Sequence, residues 1–276
     1  MDRTIYLLNS SLPPLYALVT IHYGIAFFWA QESIVKMCRP LLFVTLVAHS
    51  LFFVLRIVIF GRYPFSTLPE IISILSWSTA LIYFYVEWHQ KNQATGIFIL
   101  PLVTILQLLA SLYLPNQVEP SVFKHVPLPL FALHTLTAVL AYTAFTIGAV
   151  YCVMFLLLYR ALKTKRFGLI YERLPSLDTL TFMSFGATFV GWLCLTFTIV
   201  LGIVMSVRWF PDFYRDPQFF TSLIIWSIYT FAISSYFGWG MRGMRWVFVA
   251  LSGFSMALLT LLSAKLLWQS FHSFFA

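Results

Sequence analysis

Long unbroken runs of apolar residues, separated by short polar segments, make up most of the chain. A helix that crosses a membrane needs about 20 consecutive apolar residues, and it satisfies its backbone polar groups internally. Transmembrane β-strands instead alternate polar and apolar positions, which these runs do not do. The pattern therefore predicts an all-α polytopic transmembrane bundle of about eight spans. The predicted spans are Leu12–Ala30, Pro40–Phe60, Leu68–Trp88, Gly96–Leu114, Leu128–Tyr159, Leu180–Val207, Phe219–Phe237 and Trp246–Phe271.

The distribution of Lys and Arg between the predicted spans indicates the orientation of the bundle. Five basic residues lie between Arg160 and Arg173, which makes this the most basic connecting loop. Cytoplasmic loops of multispan proteins carry an excess of Lys and Arg, so we expect this loop in the cytoplasm. An even number of spans then places both termini outside. Since no linker is long enough to separate domains, residues 1–276 are predicted to form a single integral membrane domain.

Composition supports a membrane protein and argues against several other classes. Hydrophobic residues make up 61% of the 276 positions and charged residues 9%, whereas a soluble domain has about 25% charged residues. The net charge of +8 is concentrated in the basic loop, where it indicates orientation rather than nucleic-acid binding. The three cysteines form no CxxC pair, so neither a disulfide framework nor a thiol-redox motif is expected.

Ionisable side chains within the predicted spans are candidates for function, because a charge at mid-bilayer costs about 2.5–3.5 kcal/mol on insertion scales. His49 lies near the middle of the second span, and Arg56 follows two helical turns later on the same face. Glu70 begins the third span at the level of Arg56. Two interpretations stay open. Either Arg56 and Glu70 only neutralise each other, or His49 ligates a metal or haem while Arg56 pairs with an anionic group such as a propionate.

Two further histidines lie on the predicted outer side of the bundle. His134 is near the start of the fifth span, and His272 follows the end of the eighth. Neutral imidazoles from two helices can ligate one haem iron as an axial pair, although a histidine near a span end is more often an interfacial residue. Lys265 precedes His272 by two helical turns on the same face, where it could extend to the interface or pair with a propionate.

Four segments of the chain carry motifs that occur together in one known family. They are His49–Arg56, His134–Phe145, Met241–Arg245 and Ser270–Ser273, in that family's order. They resemble, respectively, an early His-to-Arg helix, a histidine that opens a span, a cytoplasmic Gly-Trp-Arg-Gly-Arg-Arg turn and a closing Gly-Leu-His-Ser-Tyr motif. Together they resemble the CcsA/CcmC type of cytochrome c assembly membrane protein, and in particular its HemX-like branch. The resemblance covers residues 40–276.

The resemblance implies a protein of the cytoplasmic (cell inner) membrane that holds haem b without covalent attachment at its outer face. The family's two external haem ligands fall on His134 and His272, and Arg215 or Lys265 would pair with the propionates. The implied function is haem binding or delivery in cytochrome c biogenesis, with haem, a second assembly membrane protein and apocytochrome c as partners. The chain has no CxxCH motif, so it is not expected to be a c-type cytochrome itself.

Two positions depart from the family pattern. The family's external tryptophan-rich segment ends in Trp-Asp-Pro, and the corresponding residues 208–217 keep Asp216-Pro217 but not the repeated tryptophans. Because that motif is taken to hold haem for attachment, and HemX-like members also lack it, we expect a haem-binding protein rather than a haem-attaching enzyme. The family's intramembrane histidine in the penultimate span falls on Ser234. A second bis-His site centred on His49 is therefore expected to be incomplete.

Two other functions stay open. HemX-like proteins are implicated in controlling the amount of the enzyme that starts tetrapyrrole synthesis, and a regulator of this kind would make its contacts through the cytoplasmic loop Arg160–Arg173. A small-solute transporter is a third hypothesis, suggested by the ionisable residues within spans alone. Haem that copurifies with the protein, and is lost when His134 or His272 is replaced, would favour haem binding over both.

Overall fold

The computed structural model describes residues 3–61, 63–64, 67–90, 92–114, 128–209 and 216–266, with the backbone alone at residues 128 and 261–266. All regular structure within these ranges is helical. The helices are α1 (Arg3–Trp29), α2 (Glu32–Phe60), α3 (Leu68–Gln90), α4 (Gly96–Leu112), α5 (Leu128–Lys163), α6 (Leu169–Arg173), α7 (Leu177–Trp209), α8 (Pro217–Gly238) and α9 (Met244–Leu266). Six of these are long and apolar enough to cross a membrane, and α4 and α9 are shorter apolar helices. The protein is therefore a multi-pass membrane protein, and the predicted all-α bundle of about eight spans is confirmed.

The first helix is longer than the predicted first span. It begins at Arg3 rather than at Leu12, because the polar stretch that interrupts the apolar run is itself helical. Asn9 in this stretch is buried and donates to the backbone oxygen of Ser111 at 3.1 Å, while Ser10 donates to a carbonyl of its own helix. Since these hydrogen bonds satisfy the polar side chains, the helix continues through them.

The chain forms two compact units, of which unit 1 contains α1–α4 and α6. Within unit 1, α1 and α3 each pack against both α2 and α4. The short helix α6 belongs to unit 1 through Arg173, whose guanidinium donates to the Ala26 backbone oxygen at 2.9 Å and lies 5.7 Å from the Phe27 ring centroid. Ala26 is in the last turn of α1, where the helix dipole favours a cation. Arg173 therefore stabilises the end of α1.

Unit 2 contains α5, α7, α8 and α9, and its most extensive helix contact is that of α5 with α7. A Cβ atom added to Gly148 on α5 would lie 2.9 Å from Thr188 Oγ1 and 3.3 Å from the Ser184 backbone oxygen. A Cβ atom added to Gly191 on α7 would lie 2.6 Å from the Phe145 ring. Small residues let transmembrane helices approach closely. Glycines on both helices therefore set the short distance between α5 and α7.

A stacked aromatic pair fills the centre of unit 2. The rings of Phe145 on α5 and Tyr229 on α8 lie 4.1 Å apart between centroids, with an interplanar angle of 14°. The Tyr229 hydroxyl donates to the Ala250 backbone oxygen on α9 at 3.4 Å. A Cβ atom added to Gly253 would lie 2.8 Å from the Tyr229 ring, so this glycine makes the room that the ring occupies. The pair joins α5, α8 and α9.

A reciprocal pair of hydrogen bonds joins α7 to α8. The Trp192 indole donates to Thr230 Oγ1 at 2.8 Å, and the Trp226 indole donates to Thr196 Oγ1 at 2.9 Å. The two indole rings are stacked, with centroids 6.4 Å apart. On each helix the threonine follows the tryptophan by one turn, so the two bonds mirror each other across the antiparallel helices. We call these four residues the Trp–Thr clasp.

Candidate functional site

His134 lies in the second turn of α5 and contacts α7. Its Nδ1 atom is 3.0 Å from the backbone oxygen of Thr198. A carbonyl oxygen only accepts hydrogen bonds, so Nδ1 carries the proton and the lone pair of the neutral ring is on Nε2. Histidines that ligate metals commonly make such a bond, because it fixes the tautomer and the orientation of the ring. The half-buried His134 side chain therefore has the protonation pattern of an Nε2 metal ligand.

The structure does not describe the side chains of three predicted site residues. His272 and Arg215 lie outside the described residues, and Lys265 is described by its backbone in α9. Within the described part of the chain, no group of three or more His, Cys, Asp or Glu residues is arranged to hold a metal ion. The pairing of His134 with His272, and the contacts of Arg215 and Lys265 with propionates, stay predictions.

The register of α5 against α9 gives the level at which α9 ends. Tyr142 on α5 lies within hydrogen-bonding reach of Thr260 on α9. At 1.5 Å per residue, His134 lies about 12 Å from Tyr142 toward the start of α5, and Leu266 lies about 9 Å beyond Thr260. Because α5 and α9 are antiparallel, both displacements point the same way. The last described turn of α9 is therefore nearly level with His134.

His49 is at the centre of a buried polar network in unit 1. Its side chain is 0% exposed, and both ring nitrogens are hydrogen-bonded, Nδ1 to the Tyr16 hydroxyl at 3.0 Å and Nε2 to Ser73 Oγ at 3.0 Å. Ser73 donates to Gln107 Oε1 at 3.2 Å, and Gln107 donates in turn to Ser111 Oγ at 3.1 Å. The network therefore contains side chains from all four of α1, α2, α3 and α4, and it joins these helices.

A backbone carbonyl determines the direction of this network. Ser111 donates its hydroxyl proton to the Asn9 backbone oxygen at 3.2 Å, so its oxygen accepts from the Gln107 amide group. The Gln107 amide oxygen accepts from Ser73, whose own oxygen is left to accept from His49 Nε2. His49 Nδ1 then accepts from the neighbouring tyrosine. Iron ligation by His49 would therefore require one of its two ring hydrogen bonds to break.

Arg56 and Glu70 form the predicted ion pair, with Arg56 Nη2 2.5 Å from Glu70 Oε1 and side chains only 2% and 1% exposed. Glu70 also accepts from the Thr67 backbone N–H at 3.2 Å, while Thr67 Oγ1 accepts from the Glu70 N–H at 3.4 Å. These two bonds form a capping box at the start of α3. Within the described residues, Arg56 Nε and Nη1 have no hydrogen-bond partner, and the rings of Phe52 and Phe60 lie 5.7 and 4.9 Å from its guanidinium carbon. Arg56 thus retains donor capacity for a further acceptor.

Ser234 and the retained Asp216-Pro217 pair belong to α8 and its N-cap. Ser234 is exposed, and a hydroxyl is a poor iron ligand. Asp216 is the N-cap of α8, where its Oδ1 accepts from the Gln218 backbone N–H at 2.8 Å, and Pro217 occupies the first helical turn. Asp and Pro are favoured at these positions of a helix start. A local structural role in beginning α8 therefore explains the Asp216-Pro217 pair.

A second buried ionic cluster in unit 1 was missed by sequence reasoning. Glu87 accepts from the Tyr23 hydroxyl at 2.5 Å and from Arg39 Nε at 3.1 Å, and its side chain is 0% exposed. The Arg39 guanidinium carbon also lies 5.3 Å from the Trp88 ring centroid. The available signal was an acidic residue inside the predicted third span, one position before its end. The cluster satisfies its own charges, and no cofactor contact follows from it.

The fold and these polar sites together define a class of protein. Multiple apolar helices enclose buried His, Arg and Glu side chains, which are rare in membrane interiors and are paired there. Such a molecule is an integral membrane protein with an internal polar network and with a histidine, His134, near one end of the α5–α7 helix pair.

Comparison with known proteins narrows this class to a family. Residues 65–272 match the model of the cytochrome C assembly protein family, so the chain belongs to that family. It is 27% identical over 222 residues to Protein HemX of Brevibacillus brevis, an alignment that covers 78% of this chain and 79% of the relative. It is 24% identical over 289 residues to cytochrome c biogenesis protein CcsA of Trieres chinensis, covering 91% and 93%. Protein HemX of Bacillus subtilis (strain 168) is 20% identical over 233 residues, covering 84% of each chain. The resemblance to CcsA-type proteins and their HemX-like branch is confirmed.

Proposed function

We propose that this protein binds haem b non-covalently at the outer end of unit 2, with His134 and His272 as the axial ligands of the iron. The observation that carries the proposal is the hydrogen bond from His134 Nδ1 to the Thr198 carbonyl. It assigns the proton to Nδ1, so Nε2 is the nitrogen of the neutral ring that carries the lone pair proposed to bind the iron. The level of the last described turn of α9, six residues before His272, supports the pairing.

The cationic residues have separate roles in this proposal. Lys265 and Arg215 would neutralise the haem propionates. Lys265 lies in the last described turn of α9, and Arg215 precedes α8 by two residues in the sequence. Arg56 offers the N–H groups of Nε and Nη1 to an anionic group in unit 1. We leave His49 outside the coordination of the iron, because its ring nitrogens are hydrogen-bonded to Tyr16 and Ser73.

Haem holding or delivery is favoured over haem attachment. The relatives named for cytochrome c biogenesis support a role in supplying haem for that process, in which a second assembly membrane protein and apocytochrome c would be the partners. The repeated tryptophans of haem-attaching relatives are missing from residues 208–217. We propose that the protein is located in the cytoplasmic membrane with the haem on the outer side, and that any attachment is performed by a partner.

The absorption spectrum of the purified protein tests the proposal. Protein from haem-replete cells should show the spectrum of a reduced bis-histidine haem, with close to one haem per chain. His134→Ala and His272→Ala should each abolish this spectrum, because loss of either ligand breaks the axial pair. His89→Ala is the matched control, since His89 is exposed and its Nδ1 donates to the Tyr85 carbonyl of its own helix. Colourless wild-type protein, or haem retained in both ligand variants, would contradict the proposal.

The second candidate function is HemX-like regulation of tetrapyrrole synthesis through the loop between α5 and α7. The observation that favours it is the exposure of Arg160, Lys163, Lys165 and Arg166, which leaves these cations available to a partner. Arg173 is less available, since it is bonded to the end of α1. Under this function, replacing the four exposed cations by Ala would change the cellular amount of the first enzyme of tetrapyrrole synthesis, while His134→Ala would leave it unchanged.

A further inference from the structure

The approach of His134 to the Thr198 carbonyl depends on a glycine one turn further along α7. In an α-helix the carbonyl of residue 198 already accepts from the N–H of residue 202, and the side chain of residue 202 lies beside that oxygen. Residue 202 is Gly, and a Cβ atom added there would lie 3.2 Å from His134 Cε1 and 3.6 Å from His134 Nδ1. The missing side chain leaves the space in which the imidazole ring lies.

A side-chain bond holds the same two helices together at this level. Thr198 Oγ1 lies 2.9 Å from Thr137 Oγ1 on α5, one turn along from His134, and 2.9 Å from the Cys194 carbonyl of its own helix, so its one proton is shared between these two acceptors. Thr137 in turn bonds to carbonyls of its own helix, including that of His134 at 2.9 Å. Thr198 is buried. The position of α7 against His134 is therefore fixed by a polar contact as well as by glycine.

Gly202 belongs to a longer glycine pattern on the face of α7 that contacts α5. Gly191 is three turns earlier on the same face and contacts Phe145, while Gly202 contacts His134. By contrast, Gly186 on the same helix has nothing within 4 Å of an added Cβ atom. Close approach at residue 202 is thus a property of this site and not of every glycine in α7.

We propose that Gly202 and Thr198 are positioning residues that fix His134 as an Nδ1–H tautomer, an inference that rests on the proposed function of His134 as a haem ligand. Donation from Nδ1 to a carbonyl increases the basicity of Nε2, which strengthens its bond to iron and stabilises the ferric state. Both residues act through His134 rather than as ligands themselves. They determine which ring nitrogen faces the haem and how strongly that nitrogen donates.

Replacement of Gly202 tests this role. Gly202→Ala should displace the His134 ring and lengthen its bond to the Thr198 carbonyl. The haem that remains bound should have a more positive midpoint potential and an altered low-spin ferric electron paramagnetic resonance spectrum. Haem affinity should fall by about 10- to 100-fold, as is typical when a hydrogen-bond partner of a metal ligand is lost. Gly186→Ala, in open space on the same helix, should leave all three quantities unchanged.

A second pair of variants keeps the test independent of how well Gly202→Ala folds. Thr198→Val removes the hydroxyl that bonds Thr137 and should shift the potential in the same direction by a smaller amount, while Thr198→Ser should restore the wild-type value. Unchanged potential, spectrum and affinity in both Gly202→Ala and Thr198→Val would overturn this inference alone, with the haem assignment intact. Wild-type protein without haem would overturn the proposed function and this inference with it.

Discussion

At the scale of single residues, the structure assigns opposite ring protonation to His134 and His49. His134 donates from Nδ1 to a carbonyl, whereas His49 donates from Nε2 and accepts at Nδ1. Both histidines were predicted from the sequence as haem-binding candidates, because the sequence shows only the residue type and its position along a predicted span. The difference depends on partners distant in the chain, such as Thr198 for His134 and Tyr16 for His49. Tautomers follow from three-dimensional neighbours, so they could not be predicted from the chain alone.

The buried Arg56–Glu70 ion pair leads to a prediction at the residue scale. Glu70→Ala should destabilise the protein by about 3–5 kcal/mol, because it leaves the Arg56 charge buried without a counter-ion. The double variant Arg56→Met, Glu70→Gln should be closer to wild type than Glu70→Ala, since no isolated charge remains. The stability of both variants is measured on protein purified in a mild detergent. A denaturing detergent is titrated in, and the loss of helix is followed by circular dichroism.

A matched control for this prediction is the exposed pair at the start of α2. Lys36 Nζ lies 2.6 Å from Glu32 Oε1, but the two side chains are 72% and 83% exposed. Glu32→Ala should therefore leave stability nearly unchanged, because exposed ion pairs are screened by solvent. Equal effects of Glu32→Ala and Glu70→Ala would contradict the argument that burial makes the Arg56–Glu70 pair costly to break.

At the scale of helices, the apolar runs predicted the positions of the spans well, but they predicted the first residues of the helices less well. The predicted second span began at Pro40, yet α2 begins at Glu32 and includes that proline. α1 likewise includes Pro13 and Pro14. Polar residues and prolines end a helix in water, but neighbouring helices supply hydrogen bonds and packing in a membrane bundle. Helix ends therefore depend on packing that no local pattern contains.

The start of α8 gives a prediction at this scale. Asp216→Ala should destabilise the protein by about 1 kcal/mol, because the backbone N–H of Gln218 loses its acceptor. Asp216→Asn should be close to wild type, since an amide oxygen caps equally well. Neither change should alter the haem spectrum. A loss of haem in Asp216→Asn with unchanged stability would instead indicate that the carboxylate acts in haem binding.

At the scale of the whole molecule, sequence was sufficient for the fold class and the family. Both rest on features repeated along the chain, namely long apolar runs and four motifs in order. The buried networks were less accessible, because their partners are distant in sequence, as with the bond from Asn9 to Ser111. The orientation of the spans, the single membrane domain and the bis-histidine pair stay predictions, since each depends on the membrane, on the relation between units or on residues beyond those described.

Cysteine labelling tests the predicted orientation. In a background without Cys38, Cys152 and Cys194, a cysteine at position 163 should react with a membrane-impermeant maleimide only after the cells are permeabilised, because the basic loop is expected in the cytoplasm. A cysteine at position 6, near the start of α1, should react in intact cells. The reverse pattern would place both termini in the cytoplasm and the His134 end of α5 on the cytoplasmic side.

The Trp–Thr clasp has a mechanical consequence for unit 2. Sliding of α8 by one turn along α7, about 5.4 Å, would separate both indole groups from their threonine hydroxyls at once, because each helix supplies one donor and one acceptor. A smaller displacement of α8 along α7 would likewise lengthen both Trp–Thr hydrogen bonds together. We therefore expect α7 and α8 to move together as one rigid body. A displacement of α8 at its Gly238 end would then displace α7 as well, with the register between the two helices unchanged.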